Sequence, residues 1–504
     1  MSFSVLKAFV IADVLTRFRR LSTLVLIGIM LAVAWMWIPD PATGRAVIVV
    51  DRQRALYTAG TIGLATAAIS TMFVGLFGFY AISNAVSRDL RSRVGQMLAS
   101  TPLRSATYIV GRFLGNLAFL CSLLAVFAAG SFVMVLIRGE GTFDPLTFGA
   151  QYLLICIPAM VTVSALAILF EVTPLLRTRA GDIAFFVLWL TLMGINSATA
   201  MGGRAQWFDP SGLGWVLSSI KQQTGTDSLS IGASNFDVTK PPLAFDGIPL
   251  SSASVVSRAA NALAPLALLL PAMMMFHRFD PAKVRTPSRN EGSSTQRFAF
   301  LGRFVTWIVP PRPRGLITAA MWDARLTFME RPWGIIVIAV AWIAALADGK
   351  GAVPIVVIAG GFLIAGIAAR EKIGGTTALI GPSPVIAGRS GAWKFATSIL
   401  VLLIVMLPLL IRFGMGDPVR ALRLAGGMLL LAGIANLLGF LTGGPRSFIA
   451  ILLMAVYIAV NDAASFIDFA GFHQTFDPSS AAAWGVAAIS AVALSLFVGR
   501  IARA

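Results

Sequence analysis

Charge is what this sequence has least of. Only 12% of its 504 residues are Asp, Glu, Lys or Arg, against 57% hydrophobic ones, and the mean hydropathy is +0.83. A soluble domain needs a polar surface that this composition does not supply. Cysteine and histidine are nearly missing, with two of each. Cys121 and Cys156 lie inside apolar runs and His277 and His473 stand alone, which excludes a disulfide framework and a His/Cys metal site and leaves core packing for both thiols. No stretch fits the phosphate-cradling G-x-x-x-x-G-K-[ST] pattern; the nearest, Gly388 to Lys394, lacks the spacing and the following Ser or Thr. There is no H-E-x-x-H, no pair of carboxylates inside an apolar run and no convergent Ser/His set, so the sequence offers no familiar hydrolytic site. Glu171, Asp182 and Asp462 sit at the ends of apolar runs, where water is near, and the mid-membrane ionisable group that a proton or sodium carrier uses is not found.

What is present is a series of apolar blocks of roughly 18 to 25 residues, the length that crosses a bilayer as a helix. They predict an all-α polytopic membrane protein with twelve spans. The first six are Leu21 to Ile38, Ala59 to Ile82, Phe113 to Leu136, Ala150 to Phe170, Ile183 to Met201 and Ala259 to Phe276. The second six are Trp333 to Ala347, Ala352 to Ala369, Phe395 to Phe413, Leu424 to Leu441, Phe448 to Val460 and Ala482 to Val498. A basic segment with Lys7, Arg17, Arg19 and Arg20 precedes the first block, and no small-residue cleavage site closes it, so an uncleaved first helix is expected. Ser2 to Arg20 and Gly315 to Arg331 mix apolar residues and charges at near-helical spacing, as amphipathic helices in the headgroup layer do.

An even number of spans puts both termini on one side. Sorting the loops by that topology gathers most of the Lys and Arg with the termini and leaves the other side close to neutral, so the formal +18 belongs to the cytoplasmic side. The basic excess is spread over every inner loop rather than collected on one domain, which argues against a nucleic-acid partner. Arg outnumbering Lys and the abundance of Ala point to a bacterium of high genomic GC, and hence to the inner membrane.

The chain also repeats itself. At one fixed offset Arg88 falls on Arg370, Asp89 on Glu371, Leu98 on Ile380, Thr101-Pro102 on Ser383-Pro384 and Arg112-Phe113 on Lys394-Phe395. The amphipathic segments align at a slightly larger offset, Asp13 with Asp323 and Phe18 with Phe328, the difference being a longer outer loop from Pro39 to Thr58. The expected plan is a six-helix half at 1–276, a basic linker at 277–314 and a second half at 315–504, the two halves facing one another across a pseudo-twofold axis. The linker is polar and carries a low-complexity stretch at Ser288 to Thr295.

Ile82 to Leu120 resembles the loop between the second and third helices of ABC-2 type transporter permeases: Arg88-Asp89, Gly95, Leu98, Thr101-Pro102 and Gly111-Arg112-Phe113 stand where that family carries a charged pair, a Gly, a Leu, a small-Pro step and a Gly-basic-Phe helix start. Asp89 replaces the commoner Glu. The long outer stretch Gly202 to Ser257 and the tail His277 to Ala282 are also similar to bacterial members. In the second half Gly374, Gly375, Thr376 and Thr377 replace the charged turn. The resemblance implies a substrate pathway between two helical bundles, no cofactor bound by this chain, and two copies of a cytoplasmic ABC ATPase, carrying ATP and Mg, docked beneath it.

It further implies that force enters through Arg88, Asp89, Arg91 and Arg93, with Met97 and Leu98 giving an apolar docking face, and through Arg370, Glu371 and Lys372 in the second half. Enforcing orientation is the other reading of the arginines. The family's pathway is lined by second and fifth helices, which points to Phe73, Phe77, Trp189 and Asn196; ordinary helix packing is the alternative for each. Two rival classes stay open. A major-facilitator carrier shares the twelve spans, but Arg88-Asp89 reverses its Asp-Arg order without the framing glycines; a membrane-embedded enzyme lacks a reactive cluster.

Overall fold

A computed structural model describes residues 3–19, 21–83, 85–86, 89, 94–101, 104–141, 144–174, 176–177, 179–202, 208–225, 228–245, 247–248, 251–276, 315–330, 334–347, 351–377, 384–461, 468–473 and 478–501. The chain divides into two compact units, Met1–Arg285 and Thr286–Ala504. The linker expected at 277–314 lies outside the described residues.

In the first unit α1 (Phe3–Phe18) and α2 (Leu21–Trp37) meet at 76°, and the Thr23 hydroxyl donates to the Arg17 carbonyl at 2.7 Å across the bend. After a short sheet come α3 (Ala59–Ile82), α4 (Val94–Ser100), α5 (Ser105–Arg138), α6 (Pro145–Val172) and α7 (Arg179–Met201). The unit ends with α8 (Leu213–Thr224), α9 (Ser252–Leu263) and α10 (Leu269–Met275), the last two joined by a 3₁₀ turn. The starts are written in the sequence. The Thr58 side chain accepts the Thr61 N–H, Asp144 followed by Pro145 opens α6, and Ser251 with Ser254 forms a reciprocal cap on α9. Helix α3 is buried along nearly its whole length, packed against α5 and α6, while α1 lies on α5. A helix apolar on every face belongs at the centre of a bundle.

The second unit holds α11 (Gly315–Glu330), α12 (Gly334–Leu346), α13 (Ala352–Ile364), the single turn α14 (Arg370–Gly374), α15 (Pro384–Gly416), α16 (Pro418–Thr442), α17 (Arg446–Asn461) and α18 (Pro478–Ile501). Helix α15 packs against α11, α12, α13, α16 and α18. Asp417 caps α16 ahead of Pro418, and Gly443, in the left-handed conformation, ends it.

Eight helices among the described residues are long and apolar enough to cross a membrane, and the bent α1–α2 pair makes a ninth if taken as one span. This is the make-up of a multi-pass membrane protein. Every one of the twelve apolar blocks falls on a helix, but α12, α13 and α17 are shorter, and thirteen residues at ~1.5 Å each reach only about 20 Å. The third and ninth blocks sit in helices that begin well before Phe113 and Phe395, so Arg112 and Lys394 are helical.

Two prolines interrupt these helices, and each leaves a carbonyl four residues back without its helical N–H. For Pro158 that is Leu154, whose carbonyl accepts Arg258 Nε at 2.9 Å; for Pro408 it is Ile404, whose carbonyl accepts Trp342 Nε1 at 2.9 Å. In an apolar surrounding, where water cannot fill in, side-chain donors from neighbouring helices restore the pairing.

The all-helical expectation missed a three-stranded antiparallel sheet built from the two long loops of the first half. Strand β1 (Arg45–Val50) lies between β2 (Gln53–Arg54) and β3 (Leu229–Asn235). The β1–β2 turn places Asp51 and Arg52 at positive φ, where Gly is usual, so the sequence carried no hairpin signal there. Arg54 donates to both oxygens of Glu140 beyond the end of α5, and this holds the Glu140 carboxyl below its usual range.

Candidate functional site

Several charged residues matched by the internal repeat converge in space. In the first unit Asp13 and Arg17 lie one turn apart on α1 and form an ion pair at 2.7 Å. Arg112, on α5, bridges two carboxylates: Nη1 donates to Asp13 Oδ1 at 2.7 Å and Nη2 to Asp89 Oδ2. The Tyr108 hydroxyl, one turn earlier on α5, donates to the same Asp89 oxygen at 2.7 Å, and Arg17 Nη2 donates to Asn116 Oδ1 at 2.5 Å. Aromatic faces complete the cage, with the Arg112 guanidinium 4.9 Å from the Phe9 ring and that of Arg17 5.3 Å from Phe119. An added Cβ at Gly115 would lie 2.9 Å from Asp13 Oδ2, so the smallest residue is what lets α1 bring its carboxylate against α5.

The second unit rebuilds this from the equivalent residues. Lys394 Nζ lies 2.9 Å from Asp323 Oδ2 and 2.5 Å from Glu371 Oε1, as Arg112 lies between Asp13 and Asp89. Arg370 pairs with Asp323 and donates to the Thr327 hydroxyl at 2.6 Å. Thr327 occupies the position of Arg17, so the second cation comes from the helix α1 in one unit and from the turn α14 in the other. Among the described residues each network contains two carboxylates and two cations. Asp13, Arg17, Asp89, Arg112, Asp323, Glu371 and Lys394 are all buried.

Burying a charge is costly unless it is paired, and in both networks the buried carboxylates and cations are paired with one another. They contain no nucleophile or acid–base pair aimed at open space. The first ties α1, the chain after α3 and the start of α5 together, and the second does the same for α11, α14 and α15.

The coupling residues expected from sequence divide accordingly. Arg88, Arg91 and Arg93 lie outside the described residues. Asp89 faces into the network, Met97 is 70% exposed, and Leu98 packs against an apolar cluster with Val86, Tyr108, Phe113 and Ile168. In the second half Arg370 and Glu371 are engaged with Asp323 and Lys394, leaving Lys372 as the exposed member. Sequence reasoning quoted Asp13, Asp323, Arg112 and Lys394 as repeat matches without a role; their charges recurring at fixed offsets were the signal.

Of the pathway candidates, Phe73 and Phe77 share one face of α3, where Phe73 meets the Trp37 ring of α2 at 5.6 Å, whereas Trp189 of α7 packs at Gly75 on a different face. The rings of Phe73 and Phe77 are stacked 6.4 Å apart, Trp189 stacks on Phe185 at 6.1 Å, and an added Cβ at Gly75 would lie 2.5 Å from the Trp189 ring. Asn196 is buried further along α7. A cleft of about 520 Å³ opens instead beside the sheet, lined by Asp40, Arg54, Arg138, Glu140, Phe236 and Lys240 among others. Among the described residues no group of His, Cys, Asp and Glu is arranged to hold a metal ion.

Comparison of the chain with family models, with curated proteins and with solved structures gives no match. The functional reading therefore rests on the residues and their geometry.

Proposed function

We propose that this chain is the membrane-spanning permease of an ATP-driven export system, sitting in a bacterial inner membrane with both termini cytoplasmic. Separately encoded ABC ATPase subunits, two copies carrying ATP and Mg, dock on its cytoplasmic loops and move two six-helix bundles around a substrate pathway. Phe73, Phe77, Trp189 and Asn196 become pathway residues when the bundles move apart. The observation that carries this reading is the duplicated network. Asp89 and Arg112 belong to the very stretch that resembles the ATPase-facing loop of ABC-2 permeases, and Arg112 bonds both Asp89 and the α1 carboxylate Asp13. A loop pushed from beneath would then move α1 and α5 with it, which is what a force-receiving loop requires.

The test is co-expression with a Walker-type ATPase encoded beside it, co-purification, and ATP-driven transport in vesicles. Arg91→Glu combined with Arg93→Glu should abolish co-purification and ATP-driven flux while leaving the chain folded. Uphill solute movement by the purified chain alone, driven by an ion gradient, would instead establish a secondary carrier and remove the proposal.

A further inference from the structure

We infer that Glu171 is the positioning residue that fixes the force-receiving segment of the first half to the fourth helix; this rests on the permease reading for its functional consequence. Glu171 stands at the end of α6 and is 4% exposed. Its two carboxylate oxygens accept consecutive backbone N–H groups, Oε1 from Ala85 at 2.9 Å and Oε2 from Val86 at 2.5 Å. At Ser83 the chain leaves α3 in an extended conformation and is helical again at Ala85, Val86 and Asp89. The first N–H groups of a new helical segment have no carbonyl before them to bond, and they carry the positive end of its dipole. A bidentate carboxylate satisfies both needs.

That segment is thereby held at three points by two helices. Glu171 grips its start from α6, Val86 is inserted in the apolar cluster with Val161, Ala165 and Ile168 of the same helix, and Asp89 is bonded to Arg112 and Tyr108 of α5. The Glu171 carbonyl in turn accepts Arg177 Nε at 3.0 Å, which anchors the chain leaving α6. Cut the carboxylate and the segment keeps its tie to α5 but loses its polar tie to α6. In the second half α16 approaches the chain after α13 by close packing, an added Cβ at Gly439 lying 2.8 Å from Ala368. Displacement of the first-half loop is therefore passed to the fourth helix through a charged joint, and that of the second through packing.

The experiment compares the full chain with Glu171→Gln and Glu171→Ala in detergent by hydrogen exchange, and then in vesicles with the ATPase. A charge-assisted hydrogen bond lost at each amide should raise exchange at Ala85 and Val86 roughly tenfold to a hundredfold in Glu171→Ala, with exchange along α5 unchanged. Glu171→Gln keeps one carbonyl acceptor, so it should protect one amide, fold as the parent does and give an intermediate value. Solute moved per ATP hydrolysed should fall severalfold in Glu171→Ala and partly recover in Glu171→Gln, with ATPase co-purification intact. Unchanged exchange at these two amides, or raised exchange with an unchanged transport-to-hydrolysis ratio, overturns the inference. A parent chain that moves nothing with ATP removes the permease reading, whereas exchange at Ala85 and Val86 still decides the joint.

Discussion

Replacing Arg112 by Met is the sharpest probe of the buried networks. The guanidinium of Arg112 stands between Asp13 and Asp89, and none of the three side chains is more than 8% exposed. Solvent cannot screen what remains. Removing one member of a buried, hydrogen-bonded ion set typically costs about 3–5 kcal/mol, mostly because the surviving charge is stranded. Among the described residues the cation that remains is Arg17, which is paired with Asp13, while Asp89 keeps the Tyr108 hydroxyl. Asp89→Asn by itself leaves Arg112 bonded to Asp13 but the described network with one positive charge in excess, and should cost about 3 kcal/mol by the same reasoning. If the two losses were independent, the double variant would lose roughly 6–8 kcal/mol; because it restores neutrality, it should lose only about 2–4. The assay is reversible SDS or thermal unfolding in micelles for the parent, both single variants and the double variant. Lys394→Met with Glu371→Gln should repeat the pattern in the second unit. Additive losses in both units would refute the view that the charges form one coupled joint.

Other expectations follow from the same structure. Arg258→Met should lower the unfolding midpoint by an amount equal to about 1–3 kcal/mol, since it orphans the Leu154 carbonyl, and Pro158→Ala, which returns an N–H to that carbonyl, should make the loss of Arg258 milder in the double variant. Gly75→Ala should destabilise by about 1–3 kcal/mol through collision with the Trp189 ring, and Trp189→Phe should relieve part of that cost in a thermal melt. The Glu140 carboxyl is depressed by its hydrogen bonds from Arg54, so its contribution is present above the ordinary carboxylate value and is lost as pH falls through the lower folded value. Amide exchange in β1 and β2 should accordingly rise on acidification below the ordinary carboxylate range, and Glu140→Gln should remove that pH dependence.

How much was legible beforehand depended on how local the cause was. Helix starts at Thr58, Asp144, Ser251 and Asp417 follow from a side chain and the two or three N–H groups after it, and apolar blocks become helices because the backbone must satisfy itself where water is scarce. Block lengths were less secure. Arg112 and Lys394 looked like loop charges because a hydropathy reading stops at a cation, yet both lie in helices that start earlier and are neutralised from other elements. The sheet was invisible for a related reason: β1 and β3 lie far apart in sequence, and the β1–β2 turn at Asp51-Arg52 has no Gly.

By itself the sequence determined that the chain is helical, apolar and internally duplicated, because composition, block length and recurring charges are properties of the string of residues. Only the tertiary structure decided what the recurring charges do. Asp13, Asp89 and Arg112 have no relation along the chain, and their electrostatic partnership exists only once α1 and α5 lie within a hydrogen-bond length of each other, shielded from water. The same holds for Glu171 and the amides of Ala85 and Val86: a carboxylate at the end of an apolar run looks solvated until folding places two unpaired N–H groups beside it.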